Sequence, residues 1–501
     1  MHLAITPRIL SFLEFTLITV TVLTGPPGSG KSTQMMHETA DEPAKYIWAC
    51  PIIDLIVEQS PRLRELAPDA SVMEIHGEAK LKGSVGKAIA GLPSLCAANE
   101  HVVALVTHEG LLDADPAAFA GWHVRIDETP NSIGSGVFKI SRSVDLLRAH
   151  YALETIDMDG WSRVSPLVPE INWSHLKGDD FAAKLTNFHK LAGRKSGLFV
   201  NITNWDQART QQVEWISVWT PAELAGCASV TFTGAGYFGS LTHKVTEVLY
   251  GDEVKFIRRP ANNSVRSGQP KVRLHYFCDA HIGTTTFWSQ SEGRWPLVKI
   301  CDWLTDNVPN LGYWSGNEIV QVLFDHRVAG EAVKPKAAGL NRLRHHRSCA
   351  YLYSSKPVSA DAPLMSLFGM TKQQIMEARE HEDIVQFVYR GAIRDPAYSG
   401  DYDVYLYHRD QAVAVADAMR GYGLHDIEIV AEPGAGLIGW MPAGQCAAQP
   451  KLNEAERKER KSKQNRDRQA RFRRRRKLRE FSSPPTIEQA CRQRSDWNPR
   501  T

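Results

Sequence analysis

The chain has 501 residues, of which 43% are hydrophobic and 23% are charged, proportions typical of a globular protein and not of a disordered one. Its length predicts two or three domains. The eight cysteines include no C-x-x-C pair, which argues against a zinc ribbon or a disulfide framework and favours a reducing, cytoplasmic location.

The formal net charge of +3 is unevenly distributed along the chain. Residues 451–480 hold 15 lysines and arginines against 5 acidic residues, a surplus of 10, so the remainder of the chain carries a net charge of −7. A basic tail on a mildly acidic body is typical of proteins that bind a polyanion, most often nucleic acid. We predict that residues 446–501 are helical or disordered, and that residues 451–480 contact a phosphate backbone.

The first apolar stretch covers residues 9–23. We interpret it as a leader that continues into a core strand, not as a targeting segment. No stretch reaches the roughly 18–20 uninterrupted apolar residues of a membrane span, so no membrane association is predicted.

A phosphate-binding loop of the form G-x-x-x-x-G-K-[ST] occupies residues 25–33. The β-branched run before it predicts a buried parallel strand, and the residues from Ser32 to about Ala40 can form a helix. Lys31 is then expected to reach the β- and γ-phosphates of a nucleotide, and Ser32 to ligate Mg²⁺. The predicted nucleotide-binding residues are Gly25, Pro26, Pro27, Gly28, Ser29, Gly30, Lys31, Ser32 and Thr33.

Further strand–helix units follow the loop, as a doubly wound parallel sheet requires. Residues 46–51 predict a strand and residues 52–60 a helix, residues 71–96 a loop and helix, and residues 101–108 another strand.

The next predicted strand, at residues 122–127, ends in a pair of carboxylates, Asp127 and Glu128. Such a pair is a weak signal by itself, but its position beyond two intervening strands fits the phosphoryl-transfer template. We predict that Asp127 holds Mg²⁺, and that Glu128 orients and deprotonates the attacking water.

Residues 131–225 are rich in aromatic side chains and carry mixed helical and loop signals. We interpret this stretch as an insertion whose aromatics form the core of an accessory helical layer, with a base-stacking surface as the alternative. A strand is predicted to return at residues 228–236.

A second α/β pattern begins at about residue 245 and contains no phosphate loop of its own. The candidate strands are residues 272–277, 319–324, 349–353 and 404–407. The candidate helices are residues 296–306, 371–380 and 409–421. The pair Arg390 and Arg394 suits an arginine finger that enters the nucleotide site of the first half, although from the residues alone a surface pair on a helix is preferred.

Seven segments, taken in order over roughly residues 20–440, resemble the motifs of superfamily-two helicases of the DEAD/DEAH-like group. They are most similar to divergent forms encoded by phages and mobile elements. The segments are GPPGSGKST (25–33), ACPIIDLIVEQ (49–59), VTHEGLL (106–112), RIDETP (125–130), VTFTGA (230–235), AAGLN (337–341) and QFVYRGAIR (386–394).

The resemblance implies an α/β fold with two RecA-like doubly wound parallel-sheet domains. The first covers residues 1–240, with the insertion at about 131–225, and the second covers residues 241–445, followed by the tail at 446–501. ATP with Mg²⁺ is expected between the two domains, where closure of the cleft brings the arginine finger to the γ-phosphate.

The resemblance also implies the roles of individual residues. The expected catalytic set is Glu128, Lys31, Gln386, Arg390 and Arg394, with either arginine as the finger. The expected nucleic-acid contacts are Pro51, Gln59, Thr107, Gly339 and Asn341. The implied activity is that of an ATP-dependent helicase or translocase in phage or plasmid replication. Its expected partners are single-stranded or forked DNA, with RNA as the alternative, and replication proteins.

Three alternatives stay open at this point. A phage DNA-packaging ATPase would need an acidic nuclease cluster, and the candidate residues Asp279, Asp302, Asp325 and Asp401 are dispersed in the sequence. A nucleic-acid-binding adaptor with a degenerate ATPase is disfavoured because the lysine and both carboxylates are present. A basic-zipper dimer is disfavoured because no leucine heptads follow residues 473–477.

Overall fold

The computed structural model describes residues 17–81, 84–168, 185–210, 212–262, 265–281, 283–335, 341–358 and 361–442. The described residues up to Trp440 belong to one compact unit. Residues 9–16 of the predicted leader and the predicted tail at residues 446–501 lie outside the described residues. None of the helices in these ranges combines the length and the apolar character that a membrane span requires.

The first lobe is built on a seven-stranded sheet in which all neighbouring strands are parallel. Its strands are β1 (Ile18–Thr24), β2 (Lys45–Cys50), β3 (Ser71–Ile75), β4 (Val102–Thr107), β5 (His123–Asp127), β11 (Ser229–Thr233) and β12 (Val254–Pro260). The spatial order is β12-β1-β11-β5-β2-β4-β3.

Helices cover both faces of this sheet, as a parallel sheet that is apolar on both sides requires. They are α1 (Lys31–Asp41), α2 (Ile53–Leu66), α3 (Val85–Leu95), α4 (His108–Asp113) and α8 (Leu241–Tyr250). Side chains alternate along β1, so that Val20 and Val22 enter one core while Leu23 enters the core on the opposite face.

In its described residues, the insertion forms a five-stranded antiparallel sheet with three short helices. Its elements are β6 (Ile133–Phe138), α5 (Val144–His150), β7 (Tyr151–Thr155), β8 (Trp161–Pro166), α6 (Thr186–Ala192), β9 (Leu198–Asn201), α7 (Ile202–Asp206) and β10 (Val213–Val218). The prediction of an accessory helical layer was therefore wrong, because the aromatics lie mainly on or against paired strands. Phe188 and Trp215, for example, lie in one apolar cluster with Tyr151.

The second lobe is built on a six-stranded parallel sheet with the order β15-β14-β16-β17-β13-β18. Its strands are β13 (Lys271–Cys278), β14 (Tyr313–Gly316), β15 (Glu331–Ala332), β16 (Ser348–Leu352), β17 (Asp401–His408) and β18 (Ile427–Ala431). Its helices are α9 (Thr285–Trp288), α10 (Ser291–Asn307), α11 (Glu318–Phe324), α12 (Ala362–Phe368), α13 (Lys372–Met376), α14 (Glu382–Val388) and α15 (Arg409–Gly421).

Two parallel-sheet α/β lobes with an insertion in the first confirm the predicted fold class of two RecA-like domains. Two details of the prediction change. Residues 254–260 pair with β1, so the first sheet extends beyond the predicted limit at residue 240. Residues 319–324 form a helix because Val320 and Phe324, one turn apart, are fully buried while Val322 is 73% exposed.

Candidate functional site

The phosphate-binding loop lies between β1 and α1, as the sequence predicts. Gly25, Gly28 and Gly30 have φ angles of 152°, 88° and 79°, a backbone region that residues with a Cβ rarely adopt. The Lys31 ammonium donates hydrogen bonds to the carbonyl oxygens of Gly25 (2.9 Å) and Pro26 (2.8 Å). The loop is therefore folded around its own lysine.

The residues of the loop differ in whether they face the cleft. Pro27, Gly28, Gly30, Lys31, Ser32 and Thr33 line a cleft. Ser29 is 2% exposed, and its hydroxyl has no hydrogen-bond partner among the described residues. The Thr33 hydroxyl accepts a hydrogen bond from the Arg62 guanidinium at 3.1 Å.

Asp127, at the carboxyl end of β5, accepts hydrogen bonds from three side chains. Its Oδ1 atom accepts from the Ser32 and Thr233 hydroxyls, both at 2.6 Å. Its Oδ2 atom accepts from the Gln59 amide at 2.7 Å. Ser32 and Asp127 thus lie together, and their oxygen atoms are the kind of ligand that Mg²⁺ prefers.

Glu128 follows Asp127 in a left-handed conformation, with φ of 67°. Its backbone N–H donates to the Thr233 hydroxyl at 3.0 Å, which fixes the turn. Burial, together with the adjacent Asp127 carboxylate, raises the pKa of Glu128 to about 7. Glu128 therefore changes protonation state near neutral pH, which suits a general base.

Burial near the cleft also shifts the pKa values of Lys31 and His108. Burial lowers the pKa of Lys31 to about 8, against the raising effect of Glu128 and Asp127. Burial also lowers the pKa of His108 to about 4. The neutral His108 ring donates from Nε2 to the Asp127 carbonyl oxygen at 2.9 Å. This hydrogen bond holds the backbone at the end of β5 in position.

The second lobe contributes the opposite wall of the cleft. Arg390, Arg394 and Gln386 line the same cavity as Lys31 and Glu128. Arg390 is 5% exposed, and neither its Nη1 atom nor the Nε atom of Arg394 has a hydrogen-bond partner among the described residues. Unsatisfied buried guanidinium groups are costly, so this wall suits an anionic ligand.

The lobes touch at the phosphate-binding loop. A Cβ at Gly28 would lie 2.4 Å from Cγ and 2.7 Å from the carbonyl oxygen of Arg394. Gln386 donates to the Glu382 carboxylate at 3.0 Å. Either arginine therefore faces the phosphate site, and the geometry does not select one of them as the finger.

The residues predicted to contact nucleic acid lie in several places. Pro51 follows β2, and Thr107 is the last residue of the neighbouring strand β4. Thr107 also caps α4 by accepting from Gly110 N–H. Gln59 instead lies in the nucleotide cleft, 2% exposed and bonded to Asp127. Asn341 begins a short 3-10 helix, and Gly339 lies outside the described residues.

Sequence reasoning missed four residues of the site. Arg62 and Arg344 line the cleft, Thr233 holds both carboxylate residues, and Glu382 contacts Gln386. Thr233 lies within the segment 230–235 that resembles a helicase motif, so its position carried a signal. The positions of Arg62, Arg344 and Glu382 in the site depend on tertiary packing, which no local sequence pattern predicts.

No family model matches the chain, and no curated protein matches it. Among solved structures, the chain is similar to an XPD helicase, with 12% identity and a TM-score of 0.46 over 83% of this chain and 96% of that one. It is similar to Xpd4 of S. tokodaii, with 11% identity and a TM-score of 0.43 over 83% and 96%. It is also similar to Dbp5 of S. cerevisiae bound to RNA and ADP BeF3, with 10% identity and a TM-score of 0.35 over 83% and 85%. The strand order of the two sheets, not these low identities, carries the fold assignment.

Proposed function

We propose that the chain is an ATP-driven motor on nucleic acid, a helicase or translocase of the superfamily-two kind. The observation that carries the proposal is one cleft with complementary walls. The first lobe supplies Lys31 and Glu128, and the second lobe supplies Arg390 and Arg394. A nucleotide bound there would contact both lobes, so its hydrolysis would change their relative position.

The described side chains fit a Mg²⁺–ATP substrate. The phosphate loop would enclose the phosphates with its N–H groups, and Ser32 and Asp127 would hold the metal ion. When bound, Mg²⁺ neutralises charge on the β- and γ-phosphates. The Arg390 Nη1 and Arg394 Nε atoms, which have no hydrogen-bond partner among the described residues, would then gain phosphate oxygens as acceptors.

The same residues support a hydrolytic step. Glu128, positioned by Thr233, would accept a proton from the attacking water. Arg390 or Arg394 would stabilise the charge that develops on the transferred phosphoryl group. Lys31 would exchange its two carbonyl partners for phosphate oxygens.

Nucleic acid is the proposed second substrate. Among the similar structures, the helicase MrfA is bound to DNA and Dbp5 is bound to RNA. Pro51 and Thr107, at the carboxyl edge of the first sheet, are the proposed strand contacts. The basic stretch at 451–480 would add salt-dependent affinity that is independent of sequence. We extend the proposal, on the motif resemblance, to single-stranded or forked DNA in phage or plasmid replication.

The decisive experiment measures ATP hydrolysis with and without single-stranded DNA, single-stranded RNA and duplex DNA. We expect stimulation by at least one polymer, and we expect Lys31→Ala to abolish hydrolysis because the lysine contacts the transferred phosphates. Deletion of residues 446–501 should weaken the salt dependence of binding without removing basal hydrolysis. Hydrolysis that no polymer stimulates would contradict the motor and favour the adaptor alternative.

A further inference from the structure

The segment from Thr233, the last residue of β11, to Gly236 contacts both the catalytic carboxylates and the second lobe. We call it the 233–236 loop. At one end, the Thr233 hydroxyl donates to Asp127 and accepts from the Glu128 N–H. At the other end, Gly236 lies against the carboxylate of Glu382, and its backbone N–H is among the groups that lower the pKa of that carboxyl. Four residues thus connect the first lobe's catalytic pair to a helix of the second lobe.

The contact between Gly236 and Glu382 leaves no space for a Cβ at position 236 unless the Glu382 carboxylate shifts. A Cβ placed on Gly236 would lie 2.2 Å from Oε2, 2.5 Å from Cδ and 2.8 Å from Oε1 of Glu382. These distances involve the carboxylate itself, which is held in place by the Gln386 amide at 3.0 Å. The carboxylate cannot move aside without losing that hydrogen bond.

Glu382 begins α14, the helix that carries Gln386 and leads into Arg390. The orientation of α14 therefore determines where the Arg390 guanidinium lies in the cleft. Removal of the carboxylate from water raises the pKa of Glu382, and the contacts with Gln386 and Gly236 oppose this effect only in part. The contact is a specific polar one, formed only when the lobes meet.

We propose that Glu382 is a positioning residue that docks the second lobe onto the 233–236 loop and thereby sets Arg390 opposite Glu128. The proposal rests on the proposed ATPase function. It adds that the contact between Glu382 and Gly236 couples closure of the cleft to the position of the catalytic carboxylates. Glu382 touches neither the nucleotide nor the metal in this role. It acts through α14 on one side and through Thr233 on the other.

The test compares Gly236→Ala with Gly239→Ala, a matched substitution three residues away. A Cβ at Gly239 meets no atom within 4 Å, so this control should behave as wild type. The alanine methyl at position 236 should force the lobes apart at α14. We expect kcat for ATP hydrolysis to fall about tenfold, equivalent to about 1.4 kcal/mol of transition-state stabilisation, while KM for ATP changes little because the phosphate loop lies on the first lobe.

A double substitution separates docking from misfolding. Glu382→Ala should itself lower kcat, but Gly236→Ala added to it should cause no further loss, because the methyl then has space. Glu382→Gln retains an acceptor oxygen for the Gly236 N–H and should keep kcat within about threefold of wild type. Additive losses in the double variant, or equal effects of Gly236→Ala and Gly239→Ala, would overturn the proposal.

A readout that does not need hydrolysis distinguishes this proposal from the proposed function. Fluorophores on Leu95 and Val322, exposed residues of the first and second lobes, report the distance between the lobes. Gly236→Ala should lengthen that distance, and Gly239→Ala should not. An inactive wild type with this distance change would contradict the ATPase but retain the docking contact, whereas an active wild type without the change would contradict the docking contact alone.

Discussion

At the scale of single residues, Asp127 is the point where several elements of the first lobe meet. It accepts from Ser32 on α1, Thr233 at the end of β11 and Gln59 on α2. The sequence predicted Asp127 and Ser32 because their chemistry is tied to fixed motif positions. It did not predict the role of Gln59, because a hydrogen bond from α2 to β5 depends on how the helix packs on the sheet.

The shifted pKa values of Glu128 and Lys31 predict a narrow pH optimum. As the proposed general base, Glu128 would act in its deprotonated form, so kcat/KM for ATP should fall as the pH decreases through about 7. Lys31 binds phosphate when protonated, so kcat/KM should also fall as the pH rises through about 8. Rates measured at low ATP between about pH 5.5 and 9.5 test both limbs, and a flat profile would contradict the assignment.

Glu128→Gln supplies the control for the acidic limb. The amide keeps the shape of the side chain but cannot accept the proton, so kcat should fall by about 10²–10⁴-fold. Nucleotide affinity should be retained, because the phosphate loop is unchanged. Any remaining rate should lack the dependence on pH near 7.

At the scale of elements, the strands that the sequence predicted best are buried on both faces of a parallel sheet. β2 and β4 are nearly continuous apolar runs, and β1 alternates threonine with apolar residues, so composition identifies all three as strands. The strands of the insertion were missed because they are only four to six residues long and mix apolar residues with small, polar and single charged ones. The residues of α11 were misassigned because a run of β-branched residues was given more weight than its helical burial pattern.

The insertion sheet contains a close contact that tests its strand register. Gly136 on β6 lies directly opposite Trp215 on β10, and a Cβ at Gly136 would lie 2.4 Å from the indole ring. Gly136→Ala should lower the free energy of unfolding by about 1–3 kcal/mol, the usual cost of overpacking. Urea unfolding followed by tryptophan fluorescence provides the measurement.

Gly91→Ala is the matched control in a helix. A Cβ at Gly91 on α3 meets no atom within 4 Å, so alanine should be neutral or should stabilise the protein by up to about 1 kcal/mol. Equal unfolding free energies for the Gly136→Ala and Gly91→Ala variants would mean that β6 and β10 pair in a different register.

At the scale of the whole molecule, the insertion joins the two lobes through an apolar cluster. Trp161, Phe199 and Ile216 of its sheet pack with Val245 of α8 in the first lobe and with Phe368 of α12 in the second. The rings of Phe199 and Phe368 meet edge to face, with centroids 6.2 Å apart. Sequence could not predict this cluster, because its members come from three segments far apart in the chain.

Phe368→Ala should test the contribution of this cluster. The side chain is 6% exposed, and truncation of a buried phenylalanine costs about 3–5 kcal/mol. The exposed Val322→Ala should change the free energy of unfolding by less than about 0.5 kcal/mol. Urea unfolding measures both, and a small loss at Phe368 would mean that the insertion contributes little to holding the lobes together.

Packing of one insertion face on the second lobe restricts how the nucleotide cleft can widen. If the contact of Phe199 with Phe368 of α12 persists while the cleft opens, that flank stays together and the opposite flank separates. The movement compatible with these contacts is a rotation about the insertion side, not a parallel separation of two independent halves. In the proposed motor, a nucleic-acid strand held by both lobes would then advance along an arc, and the length of each advance would depend on how far the cleft lies from that fixed side.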